Sequence, residues 1–154
     1  MPVLANQQTA AIFKGFEAKT IIPLLDTKTG ILDLTLFTDY TRGTFDNGGN
    51  IPRLPPLRYG MQLDYDYNNW HNELRLTRAE MQDKVGINDS MSHAYVLLNL
   101  NTQYHLASIA GTEVLLFAKA KNLLNENIRN ATAYLRNFAP ESGRSAELGI
   151  RVSY

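Results

Sequence analysis

The stretch of sequence that decides the fold is LRYGMQLDYDY, residues 57–67. Apolar or aromatic side chains occupy every odd position, and polar side chains or glycine occupy every even position. This period of two is the period of a β-strand, whereas a helix would distribute the same residues around its circumference. Asn68 and Asn69 follow as a turn pair, and WHNELRLTRAEMQ at 70–82 continues the alternation. The sequence therefore predicts a tight hairpin of strands 56–67 and 70–82.

Alternation recurs along the rest of the chain and predicts an all-β, antiparallel fold. Further strands are expected at 10–21, 31–43, 94–105, 113–122 and 144–154, which makes seven in total. The last run, SAELGIRVSY, alternates without a break. Two runs are less regular. AIFKGFEAK at 11–19 places Lys14 on the apolar face, and EVLLFAKAK at 113–121 mixes leucine and phenylalanine with two lysines.

Composition excludes several classes of protein. The 154 residues include 15 basic and 15 acidic side chains and no cysteine. Zero net charge gives no basic surface for a polynucleotide, so nucleic acid is not an expected partner. Without cysteine there is no thiolate chemistry. The N-terminus carries no signal-peptide pattern, and no apolar run approaches the roughly 18 residues of a membrane helix. No catalytic motif is present, so an enzyme is not expected.

The connections between the predicted strands alternate in length. The short ones are 23–30, 68–69 and 106–112, and the long ones are 43–55, 83–93 and 123–143. In an up-and-down meander this alternation places every long loop at one end of the sheet. That asymmetry is typical of outer-membrane β-barrels, whose turns are short on one side and whose loops are long on the other.

Alternation alone leaves open whether the apolar face packs into a core or contacts lipid, because soluble and membrane barrels share the period. Seven aromatic residues fall in the apolar phase and mostly near strand ends, as the aromatic girdles of membrane barrels do: Tyr40, Tyr59, Tyr65, Tyr67, Trp70, Tyr104 and Tyr154. We therefore predict a transmembrane β-barrel segment. Its lipid-facing residues are predicted to be Leu57, Tyr59, Met61, Leu63, Tyr65, Leu74, Leu76, Val96, Leu98 and Leu100.

The odd number of strands bears on closure. Seven strands of a single meander cannot close into an antiparallel barrel, and an open sheet would leave two unpaired edges in hydrocarbon. Each unsatisfied backbone group there costs several kcal/mol. The chain is therefore expected to be one arc of a larger barrel, with the other strands in sequence before residue 1.

Three segments resemble one known family. They are GFEAK at 15–19, GGNIPRLPPLRYG at 48–60 and FAKAKNLLNENIRNATAYLRNFAPESGR at 117–144, followed by a final strand that ends at Tyr154. Together and in this order they resemble the C-terminal part of the barrel of TonB-dependent outer-membrane receptors. The resemblance covers nearly all of residues 1–154.

The resemblance implies a fold, a location and a set of partners. The chain would supply the last seven of 22 strands, with a final extracellular loop at 124–143, in a receptor of the zinc or metal-chelate uptake branch. Its partners would be outer-membrane lipid, the remaining barrel strands, the plug domain of the parent receptor and the barrel-assembly machinery. TonB would be contacted only through the plug, which this sequence lacks, so the chain alone should transport nothing. No cofactor is implied.

A few residues are candidates for particular roles. A C-terminal aromatic residue after alternating apolar ones resembles the signal read by the assembly machinery, and here it comprises Leu148, Ile150, Val152 and Tyr154. His93 and Asp89 in a long loop offer donors that zinc accepts, although a solvated loop that binds nothing is favoured. Arg136 is expected to pack its loop rather than to bind an anion.

Two alternatives to the receptor remain open. One is a soluble antiparallel β-barrel that binds a small ligand. The other is an inactive, truncated remnant.

Overall fold

The structure, a computed structural model, describes residues 8–109 and 111–154, and the side chains of 107–109 are not described. It contains seven strands, and no helix occurs in the part of the chain that is described. The strands are β1 (Ala11–Thr27), β2 (Gly30–Phe45), β3 (Arg58–Tyr67), β4 (Trp70–Ala79), β5 (Tyr95–Ile109), β6 (Thr112–Lys121) and β7 (Ser145–Ser153). Within those same ranges, no helix could span a membrane.

All seven strands form one sheet in chain order, and each strand pairs antiparallel with the next. The predicted all-β, antiparallel up-and-down arrangement is therefore confirmed. The sheet is open, since β1 and β7 lie at its two edges and do not pair with each other. Both edge strands are exposed along most of their length.

Two hairpins are tighter than the sequence predicts. β1 continues to Thr27 and β2 begins at Gly30, so only a two-residue turn remains of the predicted loop 23–30. A register shift lies between Pro23 and Leu25, and β1 is an edge strand of this sheet, where proline is tolerated. β5 likewise runs through part of the predicted loop 106–112, with a second register shift on the way to Ile109.

The register separates two faces of the sheet. One row of directly paired residues crosses all seven strands and is wholly apolar. It comprises Ile22, Leu34, Leu63, Leu74, Leu100, Ala120 and Ala146. The adjacent row lies on the opposite face. It comprises Pro23, Asp33, Asp64, Glu73, Asn101, Lys119 and Glu147. We call these the apolar face and the polar face, and their separation is the one that strand periodicity dictates.

The predicted lipid-facing residues lie on the apolar face with one difference. Nine of the ten lie in β3, β4 or β5. Each is an even number of positions along its strand from a residue of the apolar row, so its side chain is on the same face. Leu57 instead lies one residue before β3 begins at Arg58. It still continues the ladder, since its carbonyl accepts a hydrogen bond from the Glu80 N–H at 2.9 Å.

The sheet is a single layer without a conventional core. Among the described residues, the buried apolar side chains are Ala79, Ile128 and Ala131, and two of these belong to the last loop. Leu74, in the middle of the apolar face, is 40% exposed, and Leu148 on β7 is 81% exposed. A contiguous apolar surface of this extent is rarely left exposed to water by a monomeric soluble protein.

Phenylalanines on the polar face pack over glycines of the neighbouring strand. Phe37 is paired with Gly60, and Phe117 is paired with Gly149. A Cβ atom at Gly149 would lie 2.3 Å from Cζ of Phe117, so the ring fills the space that the glycine leaves. The Arg75 guanidinium lies over the Phe37 ring, 3.9 Å from its centroid.

Replacement of Gly60 by alanine should destabilise the sheet by about 1 to 3 kcal/mol, as overpacking does. The new Cβ would lie 2.1 Å from the Leu76 carbonyl oxygen and 2.7 Å from the Phe37 ring, so β3 and β4 must shift. Denaturant titration of the folded protein measures this change. The control is Thr77→Ala at the paired position of β4. A stabilised Gly60→Ala variant, as expected for a glycine with free space, would contradict the packing.

Candidate functional site

The three long connections lie together at one end of the sheet, as the alternation of loop lengths predicts. They are residues 46–57, 80–94 and 122–144, which follow β2, β4 and β6. We call this end the loop end and the opposite one the turn end. The two-residue turns at 28–29 and 68–69 belong to the turn end.

Arg136 joins the last long loop to the loop between β4 and β5. Its side chain is 3% exposed, and its guanidinium donates to the Asp89 carboxylate and to the carbonyl oxygens of Ser90 and Ala131. The Ser90 hydroxyl also donates to Asn137 Oδ1 at 2.7 Å. The buried arginine therefore holds two loops together, which is the packing role expected of it.

The third loop joins through the same carboxylate. Asp89 Oδ2 accepts a hydrogen bond from the Arg53 N–H at 3.1 Å, and Oδ1 accepts one from the Ser90 N–H at 3.0 Å. The Arg53 guanidinium lies 4.2 Å from the centroid of the Tyr134 ring, which belongs to the last loop. All three loops are thus connected around Asp89, and we call them the loop cap.

These contacts bear on the predicted zinc ligands. The Asp89 carboxylate is occupied by Arg136 and two backbone amides, while His93 is exposed. Over residues 8–109 and 111–154, no group of three or more His, Cys, Asp or Glu side chains is arranged to hold a metal ion. Metal binding by His93 and Asp89 stays a prediction, and it would require Asp89 to exchange Arg136 for the metal.

The environment of Asp89 lowers its pKa. Burial acts in the opposite direction and raises the pKa, but the Arg53 and Ser90 amides and the Arg136 charge outweigh it. The folded state therefore favours the ionised carboxylate more than the unfolded state does.

Acid should weaken the loop cap through this carboxylate. Because the pKa is lowered on folding, the contribution of Asp89 to stability is complete well above its ordinary value of 3.8 and is lost as pH falls from there through the folded-state value. We expect the protein to lose stability as the pH falls below about 5. Unfolding midpoints across this range measure the loss. The Asp89→Asn variant should show a shallower decline, and an identical pH profile would contradict the assignment.

Two asparagines close the base of the last loop. Asn122 is 2% exposed and has a positive φ of 51°. Its backbone N–H donates to Asn99 Oδ1 at 3.0 Å, and its side chain bonds Glu126 and Ser142 at the two ends of the loop. Asn125 Oδ1 accepts from the Arg144 N–H at 3.0 Å. Sequence reasoning missed both residues, although Asn tolerates left-handed backbone and could have been noted in the NLLNEN segment.

Aromatic side chains mark both ends of the apolar face. At the turn end, the Trp70 and Tyr104 rings are 4.7 Å apart, and the Tyr65 hydroxyl donates to the Thr29 carbonyl at 2.7 Å. At the loop end, the Tyr59 hydroxyl donates to the Glu80 carboxylate at 2.8 Å. Tyr59 and Tyr65 are six positions apart on β3, roughly 20 Å, and the positions between them on this face are apolar.

The polar face carries most of the charged residues of the strands, and several are paired. Lys14, Arg42 and Arg78 instead lie in the apolar phase, near the loop end. Arg58 Nη2 lies 2.8 Å from Asp39 Oδ1, and His71 Nδ1 lies 2.7 Å from Asp66 Oδ1. All four side chains are partly exposed, so each pair contributes only about 0 to 1 kcal/mol in water. The proposed assembly residues Leu148, Ile150, Val152 and Tyr154 lie exposed on and after β7, at the free edge, and that role stays a prediction.

Comparison with known proteins gave no match, either to models of protein families or to curated proteins.

Proposed function

We propose that this chain forms an arc of a transmembrane β-barrel in an outer-membrane receptor of the TonB-dependent type. The receptor would import a scarce metal or a metal chelate, such as zinc or a siderophore-type ligand. In this proposal the apolar face contacts lipid, the polar face lines the interior of the barrel, and the loop cap lies outside the cell.

The observation that carries the proposal is the uncovered apolar face. A row of seven apolar residues crosses the sheet, and no second layer of the described chain packs on it. Lipid chains would cover this apolar surface, so no further protein layer would be needed to remove it from water. The aromatic residues at both ends of the face fit the two interfaces of a bilayer, whose apolar band in such barrels is about 25 Å tall.

The composition of the polar face is evidence that this face lines a water-filled barrel interior. Its central row contains Asp33, Asp64, Glu73, Lys119 and Glu147, which could not be placed in hydrocarbon at acceptable cost. In a barrel these side chains would face water or a plug domain. The two open edges, β1 and β7, would pair with further strands, because an unpaired edge in lipid costs several kcal/mol for each orphan group.

Trp70 permits a direct test of the lipid contact. It is the only tryptophan of the chain and lies 46% exposed on the apolar face. With the protein folded in vesicles that contain brominated lipid, we expect strong quenching of the tryptophan fluorescence. Gel filtration in buffer without detergent supplies the second measurement. A folded, monomeric and detergent-free soluble protein would overturn the membrane assignment and favour a soluble ligand-binding β-domain.

The transport role needs a separate test in cells that encode the protein. Deletion of its gene should slow growth under zinc or iron limitation, and an excess of the limiting metal should restore growth. Rescue by zinc alone would identify a zinc receptor, and rescue by iron alone would identify a siderophore-type ligand. Unchanged growth under both limitations would contradict the proposed import.

A further inference from the structure

A cavity of about 490 Å³ lies between the base of the last loop and the polar face of the sheet. Its walls come from the start of β5, the end of β6, the start of β7 and the returning arm of the loop. The volume falls within the range of about 300 to 1,000 Å³ that small-molecule sites occupy. The cavity lies apart from Asp89 and Arg136, neither of which lines it.

Hydrogen bonds of the buried Asn122 hold the walls of the cavity in place. Asn122 lines the cavity, and its hydrogen bonds hold Asn99, Glu126 and Ser142 in place at 2.9 to 3.2 Å. The Glu141 N–H donates to the Ile128 carbonyl at 2.8 Å, which fixes the returning arm of the loop beside the same wall. A site with walls held in this way is preorganised, so a ligand would spend little free energy on ordering it.

The charged lining consists of one cation and one anion. Lys121 and Glu141 both line the cavity, and neither forms an ion pair within 4.0 Å, with each other or with any other described residue. A pure anion at Lys121 would share the cavity with the Glu141 carboxylate, and a pure cation would share it with the lysine. A ligand that carries both charges is complementary to the two groups at once.

The remaining lining suits the body of such a ligand. Ser142 and Ser145 add hydroxyl groups, and Leu97, Ile128 and Pro140 form an apolar wall. Six of the nine lining residues are polar or charged, so the cavity combines hydrogen-bonding groups with an apolar wall. The volume exceeds what a single amino acid fills and accommodates a short chain.

We propose that this cavity binds a short zwitterionic peptide, with the ligand carboxylate at Lys121 and the ligand ammonium group at Glu141. The small apolar side chains of the peptide would lie against Leu97, Ile128 and Pro140. The proposal rests on the polar face being in contact with water and does not depend on which compound the receptor imports.

Trialanine is the probe that we would use, measured by calorimetric titration of the full chain in its folded state. We expect saturable binding. N-acetyl-trialanine, which lacks the ammonium group, and trialanine amide, which lacks the carboxylate, should each bind at least tenfold more weakly. Equal binding of the acetylated peptide would overturn the zwitterion assignment, and the absence of saturation with trialanine would overturn the site.

Variants locate the two charges. Lys121→Met and Glu141→Gln should each weaken trialanine binding about tenfold, which corresponds to about 1.4 kcal/mol. Both residues are exposed, so the fold should tolerate the changes. The matched control is Lys119→Met, which removes a lysine from the same strand and face without touching the cavity. Equal weakening by Lys119→Met would show a general charge effect and would contradict the site. Failure of this test leaves the lipid quenching of Trp70 unaffected.

Discussion

Replacing Leu74 with arginine should lower the free energy of unfolding of the membrane-inserted protein by about 2 to 4 kcal/mol. Leu74 lies in the fully apolar row, between Leu63 and Leu100 on the neighbouring strands. On the lipid side of a barrel, an arginine there would have to reach an interface or carry water into the hydrocarbon. Denaturant titration of the protein in lipid vesicles measures the loss.

The matched control is the preceding residue. Glu73 lies on the polar face, paired with Asp64 and Asn101, so Glu73→Arg brings a positive charge beside a carboxylate in a wet interior. We expect a change within about 1 kcal/mol there, as for exposed charge pairs. The same arginine therefore has a large or a small effect according to the face alone. Equal tolerance at both positions would contradict the lipid contact, and a large loss only at position 73 would reverse the two faces.

Replacing Asp89 with asparagine should destabilise the loop cap by about 3 to 5 kcal/mol, because it leaves the Arg136 charge buried without its partner. Arg136 is 3% exposed and Asp89 is 11% exposed, so water screens this pair far less than the surface pairs. The seven-stranded sheet itself should remain folded, since its ladders do not involve either residue. Amide hydrogen exchange in residues 80–94 and 122–144, with limited proteolysis, measures the loosening.

Two further variants separate the buried charge from a general loss of contacts. Asp83→Asn removes a carboxylate from the same loop, but Asp83 pairs with Lys84 on the surface, so exchange should hardly change. The double variant Asp89→Leu with Arg136→Met should recover part of the stability, because a buried ion pair can be replaced by apolar side chains. If Asp89→Asn leaves proteolysis of the cap unchanged, Asp89 does not hold the loops together.

Most of the fold could be predicted from the two-residue alternation of apolar and polar side chains. The alternation in residues 57–67 predicted β3 and its two faces, and the Asn68–Asn69 pair predicted the hairpin that the structure has. The ends of β1, β2 and β5 were less predictable. Pro23 and the residues after it suggested a loop, but a register shift lets the strands continue past the proline. Such a shift depends on the partner strand, which local sequence does not describe.

The candidate site was predictable only in part. Loop lengths placed the three long loops at one end, because an antiparallel meander leaves no other arrangement. They did not indicate that Arg136 and Asp89, 47 residues apart, would meet, or that Asn122 would close the last loop. These contacts depend on the path of the backbone through the loops. Loops have no hydrophobic periodicity from which that path could be predicted.

The sequence by itself determined the strands, their order along the chain and the division into an apolar and a polar face. These properties follow from the two-residue repeat of extended backbone, which each segment expresses without help from the others. Only the tertiary structure decided the register, the single-layer sheet with open edges, the loop cap around Asp89 and the cavity beside Lys121. Each of these depends on the distances between residues far apart in sequence, and such distances are set when the strands pair.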